Sequence, residues 1–377
     1  MGFGDLELIT LQQYWWVLIS LLGGLFVFMM FVQGGQTLID SLSENETEKT
    51  MLINSIGRKW ELGFTTLVLF GGALFAAFPL FYATSFGGAY WVWIIILFCF
   101  IIQAVSYEYR TKPNNFLGKK TYEVFLKING NLGTFLLGVA ISTFFSGSEF
   151  ILTDNNFVEW QNSLRGLEAL LNPFNYLLGF ALVFLAKISG ALYFMNNIEH
   201  DAIFARAIKS IKYNMIFFLA FFLSFLAWVL LKDGFAVDAD GLVFMQSYKY
   251  LSNFIEMPIV LALFVIGVVM VVNAVFFAVV VKKDCCIKTG GVGIVLTVMA
   301  ILLNVGFNGT AYYPSTVDLQ SSITIVNSSG SHYTLMAMSY ASLMIPFVLG
   351  YIALAWYSMD RVKITKEEIE APDAHNY

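Results

Sequence analysis

Histidine is nearly absent from this chain: three residues in 377, at His200, His332 and His375. None falls inside a long apolar run and no two have ligand spacing, which argues against a bis-histidine haem or a copper centre built by this chain alone. Fourteen methionines offer axial ligands in principle, but a methionine in an apolar helix ordinarily packs. Cysteine is equally scarce. Cys99, Cys285 and Cys286 make no disulfide framework, and the adjacent pair in a basic loop is expected to stay reduced. There is no Gly-x-x-x-x-Gly-Lys phosphate loop, no dinucleotide fingerprint and no cysteine cluster, so an ATPase or flavoprotein finds no support. Charge is short as well: 12% of residues are Asp, Glu, Lys or Arg, against about 25% in a soluble domain. A globule of this length cannot be clothed in water with so little polar surface.

What is present is apolar length. Residues are 58% hydrophobic and 17% aromatic, and nine long apolar runs cover 11–39, 62–82, 89–109, 122–151, 167–195, 205–231, 251–281, 291–312 and 333–358. About 20 such residues at 1.5 Å rise cross a roughly 30 Å hydrocarbon core. The runs are continuous and lack the alternation of transmembrane strands, so the expected fold is an all-α polytopic membrane protein. Residues 1–370 are expected to form a single integral membrane domain, with a polar tail at 371–377. The start has no basic region and no small-residue cleavage pattern, so the first span is expected to be retained.

Basic residues orient the spans. With the N-terminus outside, 16 of the 21 Lys and Arg fall on the inner side; Arg165, Lys232 and Lys249 fall outside, and Lys127 and Lys187 within spans. That bias predicts an external N-terminus and a cytoplasmic C-terminus. Tyr14, Trp15, Trp16, Tyr90, Trp91 and Trp93 stand where an outer aromatic belt would anchor helix ends.

The informative remainder is polar groups at the membrane. Gln33 and Gln36 flank Gly34 and Gly35 near the end of the first span. They fit a polar notch, and equally a glycine-mediated helix contact with glutamines bonding across it. Lys187, mid-way along the fifth span, must find a partner, snorkel or deprotonate, and is grouped with that notch. Glu61, beside Trp60, and Glu108, between Tyr107 and Tyr109, lie at inner span ends where desolvation would raise a carboxyl toward proton-transfer values. The competing reading is a surface acid paired with Lys59 or Arg110.

Several segments, in order, resemble subunit II of the cytochrome bd quinol oxidases over essentially the whole chain to about residue 370. These are Tyr14-Trp15-Trp16; Met51-Leu52-Ile53-Asn54-Ser55-Ile56; Trp60-Glu61; and Gly71 to Leu80. Tyr107-Glu108-Tyr109-Arg110, Leu171-Asn172-Pro173-Phe174, Tyr313-Pro314-Ser315-Thr316 and Ile364 to Glu370 follow. The resemblance implies two four-helix bundles plus one peripheral helix, in a bacterial inner membrane. It also implies a homologous subunit I that holds haem b and haem d and oxidises quinol. A small single-span subunit, a structural quinone and an apolar oxygen route belong to the same expectation; nucleic acid does not.

Carried over by position, Glu61 and Glu108 replace aspartates of the family and keep a carboxyl. Trp60, Asn54, Asn172, Pro173, Pro314 and Ser315 match its structural motifs. The departures are Gln33-Gly34-Gly35-Gln36 in place of Asp-Gly-Phe-Asp, Lys59 in place of His, Gln103 in place of Arg and Thr66 in place of Trp; glutamine cannot titrate. The alternative from another class is a transporter binding a substrate at mid-membrane around Gln33, Gln36 and Lys187. Inverted repeats and broken helices would mark it, and no repeat is evident.

Overall fold

The computed structural model describes residues 2–371; most of the expected polar tail, with His375, lies outside them. Eight helices among the described residues are long and apolar enough to cross a membrane: α1 Leu8–Leu42, α2 Glu46–Ala77, α3 Tyr90–Tyr109, α4 Lys119–Ser146, α5 Pro173–Asn197, α6 Asp201–Leu231, α7 Pro258–Val281 and α8 Cys286–Gly306. A bent pair, His332–Ser342 and Ile345–Asp360, makes a ninth, α9, with 41° between its halves.

Local chemistry moves several ends away from the apolar runs. Pro173 and Pro258 open α5 and α7, because a proline without an N–H suits the first turn of a helix. The stretches just before them therefore fold separately, as a short 3₁₀ turn at Leu167–Leu171 and a helix at Lys249–Glu256. Likewise α8 ends at Gly306, and 307–331 is irregular. Pro346 sits in the first turn of the second half of α9, which places the bend there.

The first four spans meet the next four along three main seams, α1 against α8, α1 against α5 and α4 against α5. Gly34 lets α1 and α5 touch: a Cβ there would stand 1.7 Å from the Ala186 carbonyl oxygen. Small residues that let backbones approach are the usual means of helix association in lipid, where hydrophobicity gives little drive. The second half of α9 has no buried residue among the described ones, as expected of a peripheral helix.

The two ends of the bundle differ. One, the hairpin end, carries two antiparallel hairpins, β1 (Phe150–Leu152) with β2 (Val158–Trp160) and β3 (Gly234–Val237) with β4 (Val243–Gln246). The other, the basic end, carries most of the cations. Trp15 and Trp16 correct the belt expectation: they are buried, with Trp16 Nε1 donating to the Leu302 carbonyl at 2.9 Å and Trp15 Nε1 to Ser339 Oγ at 3.0 Å. An indole needs a partner when buried, and the neighbouring helices supply it. Trp91 stays exposed.

Candidate functional site

Depth can be read along α1. Trp16 and Gly34 are 18 residues apart, about 27 Å at helical rise, so Gln33 and Gln36 lie well toward the basic end of α1, and Lys187 is level with Gly34. Lys187 stands near the middle of α5 (Pro173–Asn197), where α5 meets α1 at Gly34 through Ala186 and Lys187.

At this level α1, α3 and α4 converge. Gln33 Nε2 donates to Gln103 Oε1 at 2.8 Å, and Gln36 Nε2 to the Tyr107 hydroxyl at 3.1 Å. Both glutamines and Gln103 are almost wholly buried. Gly63 of α2 covers Gln33, and the Trp60 indole stacks on Tyr107 at 5.8 Å with 12° between planes. The notch therefore exists as a helix contact bridged by amides. Lys187 does not join it. Its ammonium lies 5.5 Å from the Phe184 ring centre, and among the described residues no carboxylate is within ion-pair distance.

Glu61 and Glu108 lie at the same level, one residue from Trp60 and from Tyr107 respectively, and both are exposed on this chain. Among the described residues neither has an ion-pair partner. Lys59, fully buried, binds Asp360 at 2.8 Å instead. Arg110 binds the buried Glu123 at 3.0 Å. Sequence reasoning missed both partners because each comes from another helix, Asp360 being 301 residues from Lys59 and Glu123 13 from Arg110.

The Lys59–Asp360 site is a network. Tyr193 Oη and Asn197 Nδ2 also donate to Asp360 Oδ1, at 3.1 and 3.3 Å, and Ser55 Oγ donates to Asn197 Oδ1 at 2.7 Å. It ties the end of the peripheral second half of α9 to α2 and α5. The chain then runs on as a strap: Ile364 exchanges backbone hydrogen bonds with Asn197 and Glu199, and Glu368 pairs with Arg58.

The remaining motif residues hold backbone. Asn172 caps α5 by accepting from Phe174 N at 3.1 Å, beside Pro173. The Pro314 carbonyl accepts from Ser148 N at 2.9 Å, and Ser315 Oγ donates to the Phe150 carbonyl at 2.5 Å. Asn54 is buried in α2. His200 accepts from Ile203 N as the cap of α6, and His332 Nε2 meets the Leu6 carbonyl at 2.9 Å. No group of three or more His, Cys, Asp or Glu among the described residues could hold a metal ion. The three cysteines are free.

Between the bundles lies an apolar crevice with about 160 Å³ of internal space, lined by Phe26, Leu67, Phe70, Leu182, Phe222 and Val271 among others. Almost nothing polar faces it.

A family model described as cytochrome bd terminal oxidase subunit II matches residues 11–359. Cytochrome bd-I ubiquinol oxidase subunit 2 of Escherichia coli (strain K12) is 28% identical, over 96% of this chain and 97% of that protein. Cytochrome bd ubiquinol oxidase subunit 2 of Bacillus subtilis (strain 168) is 26% identical, over 92% and 95%. A chain of the solved bd oxidase from Geobacillus thermodenitrificans superposes with a TM-score of 0.65 at 13% identity, covering 92% of this chain and 98% of that one; this likeness is one of fold.

Proposed function

The chain belongs to the cytochrome bd terminal oxidase subunit II family, a subunit of a quinol oxidase complex in the bacterial inner membrane, and from that premise we propose how its own residues serve oxygen reduction. The basic end faces the cytoplasm, as the 16-to-3 distribution of cations requires. Residues 1–370 act as one membrane domain. Subunit I holds haems b and d and oxidises the quinol, since His200 and His332 are engaged in capping and backbone contacts here. This subunit contributes packing and access.

Glu61 and Glu108 are the proton collectors. The observation that carries this is their shared level and exposure: two unpaired carboxylates toward the cytoplasmic end, beside the stacked Trp60 and Tyr107. The notch beneath cannot relay by titration, because Gln33, Gln36 and Gln103 are amides. The crevice suits dioxygen or the hydrocarbon tail of a structural quinone, and quinone extracted per mole of purified complex decides whether the tail is there. A small single-span subunit completes the assembly; its presence is read directly from a gel of the same preparation.

The deciding experiment is Glu61→Gln, with Glu108→Gln beside it, in the purified complex from pH 6 to 9. Quinol-driven oxygen consumption falls by about 10²-fold for Glu61→Gln, the scale of a lost proton-transfer group, while haem content stays normal. A rate and pH profile equal to the parent's would place proton entry in subunit I.

A further inference from the structure

The amide notch holds more polar atoms than it satisfies. Gln36 Oε1, Gln103 Nε2 and both Asn129 Oδ1 and Nδ2 are buried with no hydrogen-bond partner in the chain. Gln36, Gln103 and Asn129 are each 0% exposed. Leaving polar groups unpaired away from water is costly, so buried amides ordinarily have partners.

These atoms converge. Asn129 opens a π-helical turn, Asn129–Gly133, inside α4. A Cβ on Gly130 would lie 2.4 Å from the Gln33 carbonyl oxygen, and one on Gly133 would lie 3.2 Å from Cys99 Cβ and 3.4 Å from Asn129 Nδ2. Cys99 is one helical turn before Gln103 on α3, and α3 and α4 run in opposite directions. Since Gly133 meets Cys99, Asn129, one turn earlier on α4, falls at the level of Gln103. Gln33 completes the third side through its bond to Gln103. A π turn widens the helix locally and often marks a functional position.

We infer that Gln36, Gln103 and Asn129 enclose an internal water site sealed between α1, α3 and α4. The set of orphans selects water. Two are acceptors, the Gln36 and Asn129 amide oxygens, and two are donors, the Gln103 and Asn129 amide nitrogens; a water molecule donates two hydrogen bonds and accepts two. No charge in the cluster favours an ion, since Arg110 and Glu123 on the same helices are paired with each other. Buried waters typically make about three such bonds and are part of the structure they fill. The inference rests on these atoms alone and stands apart from the proton role of Glu61.

The test is a map of the intact oxidase fine enough to show ordered water. The expected result is a peak within about 2.7–3.2 Å of Gln103 Nε2 and of an amide of Asn129 or Gln36. Amides turned onto one another with no peak between them would overturn it. A Gln103→Met complex tests the same point independently: the peak is lost and the melting temperature falls. A peak unmoved in Gln103→Met refutes the assignment, and should that variant fail to assemble, the parent's map decides alone.

Discussion

The two ends of the molecule are fastened by opposite chemistry. Every ion pair between described residues lies at the basic end, from the buried Lys59–Asp360 and Arg110–Glu123 to the exposed Lys366–Glu370. At the hairpin end the lysines have carbonyl partners instead: Lys232 donates to Phe145 O at 2.5 Å and Lys249 to Asn308 O at 2.7 Å. The carboxylates of that end take neutral donors, Asn162 on Glu149, Asn308 on Glu256 and Ser321 on Asp318, and Ser315, Ser322 and Ser328 are buried in hydrogen bonds around Tyr312 and Tyr313. The difference teaches that the positive-inside distribution, a rule about insertion, also decides which end can be built from charge pairs. An end left with few cations must be tied by hydroxyls, amides and rings.

The strongest challenge to this contrast is to break a buried pair at the basic end. Asp360→Ala strands a buried Lys59 ammonium, and loss of one partner of such a pair costs about 3–5 kcal/mol. The thermal melt of the purified complex should fall sharply, with α9 released first to protease. Lys59→Met with Asp360→Leu should recover most of the loss, because a buried pair and an apolar replacement are of similar worth. If the double variant is no better than the single one, the network does more than neutralise charge.

A neutral bond at the other end should cost less and ignore salt. Trp16→Phe removes the bond to Leu302 O, whose carbonyl keeps its helical partner in α8, and costs about 0.5–1.5 kcal/mol. Melts at low and high ionic strength should show the same deficit, whereas the exposed Arg58–Glu368 and Lys363–Asp284 pairs weaken with salt.

pH acts on the two ends in different windows. The Lys363 hydrogen bond holds the Asp284 carboxyl below its usual range, so its contribution is present at neutral pH and lost as pH falls through the folded value. Burial lowers the Lys232 ammonium to about 8 from 10.5. Between those values the unfolded chain binds more protons, so stability rises with pH there. The parent complex should gain on Lys232→Met as pH goes from 8 to 10; a constant difference would mean that Lys232 is solvated in the complex.

Much of this was legible without coordinates. Nine apolar runs, their helical nature and the gathering of cations at one end follow from hydropathy and the Lys and Arg count, because each is a local property of the chain. The glutamine notch was visible as Gln33 and Gln36 one turn apart. Its partners were not: Gln103 and Tyr107 stand 70 and 71 residues away, and nothing local in α3 says which face meets α1. Asn129 carried no signal at all, sitting in a π turn that only packing against Gln33 and Cys99 reveals.

The sequence by itself determined a membrane subunit with no haem-ligating pattern of its own, since composition, periodicity and motif order need no contacts to be read. Only the tertiary structure decided who pairs with whom: Lys59 with Asp360 and not Glu61, Arg110 with Glu123 and not Glu108. The physical reason is that a buried charge takes whichever opposite charge the packed helices bring within about 4 Å, and that choice belongs to helix crossings rather than to neighbours in the chain.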